Sequence, residues 1–501
     1  MLSSNYLTKQ LIAYIGNKRT LLGFLSKVFD ELDLGDNVTF SDPFAGTGAV
    51  SRLGKLKGFK VYSNDWEYYS FIVNSCFLNI DKSEITNLFK KYGGIEQVFE
   101  DFKNLDNDFS PYISRYYAPE NTENADYFKE RLFYTKENAI FIDRARTKIE
   151  TMYSGDNLTE TEKKEKSILL GSLLYEVSTH ANTSGVFKAC HKGFGGHGKD
   201  ALGRIMTSMV MEIPNLIDSS SKCVVSKLDA IDFVKGVSTD ICYLDPPYNT
   251  HQYGSNYFML NSVAKWDRPA VNQNRGVDGR FVEKAGIRKD WKQTKSPFCY
   301  KKQAPEAFRE LIRNIDSRYI ILSYNTEGII PFDQLFDIME THGKVSLHIK
   351  DYVLYRGGKQ GLTRKKPDEL RTIVLHPKLT ALKVFVGYQF IDHPQDLNLL
   401  SLNELELLSN ELLIAQCRDN LEECTVLISL LESERDKKTI KKLQKRFMIV
   451  YKKLAFKKYI DIFNRITNII NVKIDKREEN FVELNQGVND IQSIAELRFK
   501  G

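Results

Sequence analysis

Between positions 7 and 29 apolar residues recur at the three- and four-residue spacing of a helix, interrupted by Tyr14-Ile15-Gly16-Asn17-Lys18. A short apolar strand follows at 38–40, then Ser41-Asp42-Pro43-Phe44-Ala45-Gly46-Thr47-Gly48, then a helical pattern over 49–57. The next strand, 60–63, ends at Asn64-Asp65. Strand, glycine-rich turn, helix and strand in that order open an α/β sheet of the nucleotide-binding kind. From about 74 to 223 the alternation is lost. This stretch is rich in Tyr, Phe, Asn and Lys, with a helical pattern at 163–177 and a glycine-rich loop at 193–198, and it reads as an inserted domain. The α/β pattern resumes at Val224-Val225 and continues through strands at 240–244 and 319–323. A hairpin is expected from 345–354 paired with 370–375, its loop at 355–366 basic and glycine-rich. Beyond Pro394 the strand signals cease, and Ile440, Leu443, Phe447, Val450 and Leu454 sit at heptad-like spacing among lysines. The expected domains are therefore 1–74 and 224–394 as two halves of one sheet domain, 75–223 as an insertion, and 395–501 as a helical extension.

Composition narrows the class. A chain of 501 residues, 42% hydrophobic and 27% charged, can bury a full core and divide into more than one domain. Its net charge of +6, from 71 Lys and Arg against 65 Asp and Glu, is mild, so a polyanionic partner must be met by local clusters. Seven scattered cysteines, none in a Cys-x-x-Cys pair, imply reduced thiols and a cytoplasmic protein. No apolar run approaches the roughly 18 residues of a membrane span, and no membrane partner is expected.

The chemistry concentrates at Asp245-Pro246-Pro247-Tyr248, directly after the apolar strand Ile241-Cys242-Tyr243-Leu244. Two prolines remove two backbone donors and fix φ, leaving carbonyls free to accept from a ligand, beside one carboxylate and one aromatic face. An exocyclic amino group on a planar base is such a ligand; an ordinary Pro-Pro turn is the bland alternative. Gly46 and Gly48 let a ligand approach the backbone at a helix N-terminus. They make neither the Gly-x-Gly-x-x-Gly dinucleotide pattern nor a phosphate-binding Gly-Lys-Ser/Thr. Cys190, His191 and His197 lack a fourth ligand at zinc spacing, so no metal is expected.

Taken in order, Tyr14-Ile15-Gly16-Asn17-Lys18, Asp42 to Gly48, Asp65 and Asp245-Pro246-Pro247-Tyr248 resemble the Dam-like, alpha-class adenine-N6 DNA methyltransferases over roughly residues 7–376. The resemblance implies a Rossmann-like S-adenosylmethionine-dependent sheet with an inserted target-recognition domain. It also implies a cofactor set of Tyr14, Gly16, Lys18, Asp42, Phe44, Gly46, Gly48, Asp65 and Asp229, with Lys18 near the methionine end and Asp65 on the ribose. Asp232 competes with Asp229, which reads nearly as well as a plain helix-start aspartate, while an N-cap of the following helix is the lesser alternative for Asp65. The usual Gly-Gly-Lys is Gly-Asn-Lys here, and Asn tolerates left-handed φ better than most residues. The catalytic set implied is Asp245, Pro246, Pro247 and Tyr248, with Asn249, His251, Gln252 and Tyr253 continuing the loop.

The chemistry expected is methyl transfer to N6 of an adenine flipped out of double-stranded DNA, since that nitrogen is inaccessible inside a duplex. Lys188, Lys192, Lys199, Arg356, Lys359 and Arg364 are the expected phosphate contacts; a solvated basic loop is the plain alternative. No nuclease cluster is evident in the chain, so any cognate restriction endonuclease would be a separate protein. Cytosine-N4 and RNA adenine methylation are the alternatives within the same chemistry; Asp rather than Ser at 245 weighs against the first, the long insertion against the second. A catalytically silent nucleic-acid-binding subunit is the alternative from another class.

Overall fold

The computed structural model describes residues 4–155, 157–325 and 328–352, with strand segments at 368–376, 384–386 and 389–391. Five parallel strands form the centre: β1 (Thr39–Asp42), β2 (Lys60–Asn64), β3 (Val224–Ser226), β4 (Ser238–Leu244) and β5 (Asp316–Asn325), in the order β3-β2-β1-β4-β5. Two further strands follow, β6 (Lys344–Tyr352) and β7 (Asp368–His376), and β7 runs antiparallel to β5 with Asn325 opposite Leu370. Parallel strands covered on both faces read as continuous apolar runs, and Ile241, Cys242, Tyr243 and Leu244 are all buried in β4. β1 runs two residues past its expected end because Ser41 and Asp42 can be buried in it. Ser41 Oγ lies 2.9 Å from Thr239 Oγ1, and Ser51 Oγ donates to Asp42 at 2.8 Å, so both polar residues have partners inside the sheet.

The chain leaves β1 towards β2 and β3 on one side, then crosses back to place β4 on the other. That reversal is a topological switch point. The crevice beyond the carboxyl ends of β1 and β4 is where such sheets bind ligands.

Residues Met1–Gly343 with Lys350–Lys378 form one compact unit. Lys344–Ile349 with Leu379–Gly501 form another, in which β6 pairs parallel with β8 (Val384–Val386) and β8 antiparallel with β9 (Gln389–Ile391). The expected helical extension at 395–501 and the basic loop at 355–366 lie outside the described residues.

The stretch 75–223 does not segregate as a body of its own. The Glu160–Thr179 helix is apolar all round in its second half, where Ile168, Leu169, Leu170, Leu173, Leu174 and Val177 are fully buried. A helix of that kind needs cover on every side. It lies against the Tyr68–Leu78 helix so closely that a Cβ on Gly171 would sit 2.9 Å from Cys76. The tyrosines and phenylalanines of the insertion, Tyr112, Tyr117, Phe133 and Tyr153 among them, join one apolar cluster with Phe40, Tyr257 and Phe258 of the sheet domain.

Candidate active site

The turn after β1 is built by positive φ at two glycines, +51° at Gly46 and +75° at Gly48, which also caps the Ala49–Leu56 helix. A side chain at Gly48 would collide with Asn74 Oδ1, and one at Gly46 would meet the Tyr14 ring at 2.9 Å. Asp65, at the end of β2, holds this turn from the side: one carboxylate oxygen accepts from Gly46 N–H at 2.8 Å, the other from Glu67 N–H at 2.8 Å. Ser70 Oγ donates to the Gly46 carbonyl at 2.6 Å. Burial raises the Asp65 pKa against the pull of these bonds. Asp42 is buried more completely, which pushes its carboxyl up to about 7 although Ser51 donates to it. Its second oxygen, Oδ1, has no hydrogen-bond partner.

The N-terminal loop meets the β4 end 227 residues later. Lys18 Nζ donates to Asp245 Oδ2 at 2.6 Å and to the Gly16 carbonyl at 2.8 Å, with the lysine only 4% exposed. Burial raises the Asp245 pKa, and the Lys18 ammonium lowers it. Left-handed φ in this loop falls on Gly16, at +79°, and not on Asn17. Asparagine therefore fits the second position without strain, and its Oδ1 accepts from Arg19 N–H at 2.8 Å. A Cβ on Gly16 would stand 3.1 Å from the Tyr248 hydroxyl, so the glycine lets this loop close on the Tyr248 ring. Tyr14 stacks on Tyr257 with ring centroids 4.5 Å apart, while the Tyr257 hydroxyl accepts from Ile15 N–H at 2.7 Å.

Around these groups lies an open cleft of about 940 Å³, mouth included, at the switch point between β1 and β4. Of the residues expected there, Tyr14, Gly16, Lys18, Asp42, Phe44, Gly46, Asp65, Asp229, Asp245, Pro247 and Tyr248 line it. Gly48 and Pro246 adjoin lining residues without lining it themselves. Asp229 lines the cleft and also caps the Ala230–Lys235 helix through Ile231 N–H at 2.8 Å. Gln252 and Tyr253 line the cleft, whereas Asn249 and His251 do not.

Lys188, Lys192 and Lys199 are exposed, and the segment carrying them is tied to the short Tyr253–Asn256 helix after the tetrapeptide by Phe187 N–H donating to Asn256 O at 2.7 Å. Lys199 turns its ammonium onto the Phe194 carbonyl at 2.8 Å. Arg356, Lys359 and Arg364 lie outside the described residues. Cys190 is buried, its sulfur accepting from Leu132 N–H.

Sequence reasoning missed Trp66, Glu67, Thr294, Ser296 and Phe298, all in the cleft wall. Glu67 is 5% exposed, accepts from Asn261 and from Thr294 Oγ1 (3.0 Å), and burial pushes it up to about 7. Trp66 and Glu67 adjoin Asp65, and that adjacency was a usable signal. The 294–298 stretch carried none: Gln252 holds it from afar, accepting from Ser296 N–H at 2.8 Å and donating to Ser296 O at 3.1 Å.

A five-stranded parallel sheet with an acid and glycine turn after β1, an acid after β2 and a Lys–Asp pair where β4 ends defines the class: a methyltransferase of the Rossmann-like α/β type. The chain belongs to the D12 class N6 adenine-specific DNA methyltransferase family, whose model matches residues 14–319. It is 32% identical to the type II methyltransferase M.NlaIII of Neisseria lactamica over 350 residues, 69% of this chain and 93% of that protein. It is 29% identical to the modification methylase LlaI of Lactococcus lactis subsp. lactis over 369 residues, 73% of this chain and 54% of that one. The type II methyltransferase M.FokI of Planomicrobium okeanokoites is 31% identical over 337 residues, 66% of this chain and 47% of that protein. The match thus spans about half the length of the LlaI and M.FokI proteins.

Proposed function

We propose that the chain methylates N6 of adenine in double-stranded DNA, as the modification partner of a separately encoded restriction endonuclease. The observation that carries the reading is the Lys18–Asp245 pair, set in the wall of a cleft that also holds Tyr248. Adenine's amino nitrogen is a weak nucleophile because its lone pair is delocalised into the ring. Acceptors for both its N–H bonds draw it towards a tetrahedral, more nucleophilic form. Asp245 and the Pro246 carbonyl are those acceptors. Asp245 serves only while ionised, and Lys18 at 2.6 Å opposes the burial that would protonate it. Tyr248 stacks on the flipped base, and most of the rate comes from holding the reacting atoms in line. The same carboxylate is the first acceptor for the proton that the amino nitrogen gives up.

The residues present suit S-adenosylmethionine. The unpartnered Asp42 Oδ1 is an acceptor for an ammonium group, Asp65 retains lone pairs for ribose hydroxyls, and both residues line the cleft. When bound, that cofactor supplies an electrophilic methyl group on a sulfonium. Residues 75–223 serve as the target-recognition region, with Lys188, Lys192, Lys199, Arg356, Lys359 and Arg364 on phosphates. The endonuclease partner is supported by the relatives being modification and type II methyltransferases. A cytoplasmic location follows from the same reading; among the described residues no helix is long and apolar enough to cross a membrane.

Incubation with S-adenosylmethionine labelled in the methyl group and mixed-sequence duplex DNA, followed by nucleoside analysis, tests this. Label is expected in N6-methyladenine, and Asp245→Ala is expected to reduce the rate by at least about 10²–10³-fold while S-adenosylhomocysteine still binds. Label in methylcytosine, or an Asp245→Ala variant at full rate, would overturn the reading.

A further inference from the structure

After the Phe258–Lys265 helix the chain runs through 266–303 before the next long helix, Ala304–Asn314. It buries little apolar surface of its own. A short hairpin forms within it, bridged at Arg275 and Phe281 and closed by Gly279 N–H donating to Gly276 O at 2.9 Å, with φ +75° at Gly279. Turn tips normally carry Gly, Pro, Asn, Asp or Ser. Here Val277 stands at the tip, fully exposed, and Val282 and Phe128 beside the hairpin are each more than half exposed.

The hairpin is nonetheless held firmly from beneath. Arg131, 2% exposed, donates to the carbonyls of Asn272 (2.8 Å), Glu283 (2.9 Å) and Lys284 (2.9 Å), which lie on both legs, and its guanidinium lies 4.0 Å from the Phe281 ring. Tyr112 and Tyr117 donate their hydroxyls to Pro269 O and Gly286 O at 2.9 and 2.8 Å. Burying a guanidinium to hold main chain is expensive unless that main chain must keep its position.

The same segment then reaches the cleft. Thr294 and Ser296 point into it, while Lys289, Lys292 and Lys295 are exposed on its outer side. Residues 266–303 contain ten Lys and Arg against four Asp and Glu, an excess equal to that of the whole chain. A surface of this charge next to the cleft fits a polyanion, and an apolar tip between arginines fits a duplex groove.

We propose that residues 272–295 are a second DNA-contacting arm, outside 75–223 in sequence but packed on it, in which Val277 enters a groove and Lys289, Lys292 and Lys295 follow phosphates to the cleft. This rests on the reading of the chain as an enzyme acting on duplex DNA. Two variants test it: the triple Lys289→Ala/Lys292→Ala/Lys295→Ala, and Val277→Gly. Affinity for mixed-sequence duplex is measured against salt concentration, methylation rate on duplexes with paired or mispaired adenines, and S-adenosylhomocysteine binding as a check on folding. The triple variant is expected to flatten the slope of log K against log salt by about 0.9 for each phosphate no longer neutralised, roughly 2–3 in all, with S-adenosylhomocysteine affinity unchanged. Val277→Gly is expected to slow methylation of paired duplex about tenfold and to recover on mispaired adenine.

A wild type that methylates duplex while the triple variant keeps its salt slope and affinity overturns the arm alone. An unchanged slope together with conversion of a dimer to a monomer gives the surface to a second copy and also overturns it. A wild type that neither binds nor methylates duplex DNA overturns the parent reading, and this one with it.

Discussion

Lys18 and Asp245 show how much of a site depends on one partner. Alone, each is a charge in a place that penalises charge; together, at 2.6 Å, the ammonium offsets part of the burial that raises the Asp245 pKa where the base is expected. Glu67 has no such cation in contact. Its partners are the Asn261 amide and the Thr294 hydroxyl, and burial pushes it up to about 7, above its ordinary 4.5. The folded chain therefore holds a proton that the unfolded chain has released between about pH 4.5 and 7. Stability from this group is fully present below pH 4.5 and falls as pH rises to 7, by roughly 3 kcal/mol in all. Against a Glu67→Gln variant, the wild type is expected to lose stability progressively from about pH 5 to 7.5 in urea unfolding. Parallel curves for the two proteins would show Glu67 ionised throughout.

At the scale of elements, the segment from 42 to 74 is a self-contained device. β1 ends at Asp42, the turn needs Gly46 and Gly48, and Asp65, Ser70 and Asn74 from the next strand and helix fasten its backbone. This locality explains why it was legible in the sequence: the turn residues, the strand and the acid sit within about thirty positions and each carries its own signal. Gly48→Ala forces an L residue to φ +75° and drives its Cβ into Asn74, which braces the Gly46 carbonyl. A loss of about 2–4 kcal/mol is expected from left-handed strain plus the displaced Asn74, with S-adenosylhomocysteine affinity falling at least tenfold by calorimetry. A variant with wild-type stability and affinity would mean that the turn relaxes without Asn74.

At the scale of the whole molecule, the 75–223 stretch reads in the sequence as an inserted domain. Its aromatic residues instead share a cluster with the sheet domain, through the Glu160–Thr179 helix against Tyr68–Leu78. Apolar pattern reports that a residue is buried, and is silent on what covers it. Removal of 75–223, joining residue 74 to 224, is accordingly expected to leave an unfolded or aggregated chain, because Phe258, packed on Tyr117, Phe133 and Phe187, would be stripped of its cover. A soluble deletion variant with one cooperative thermal transition and retained S-adenosylhomocysteine binding would show that the two regions fold apart.

The sequence by itself determined the α/β succession, the glycine turn with its acid, and the Asp-Pro-Pro-Tyr strand end, because each rests on backbone preferences and spacings within a few residues. Only the tertiary structure decided that Lys18 meets Asp245, that Asp42 keeps a buried oxygen without a partner, and that Glu67, Thr294 and Ser296 complete the cleft. Those facts depend on which strand ends the sheet order brings together across more than two hundred residues, and on how far burial shifts a charge, neither of which any local pattern encodes.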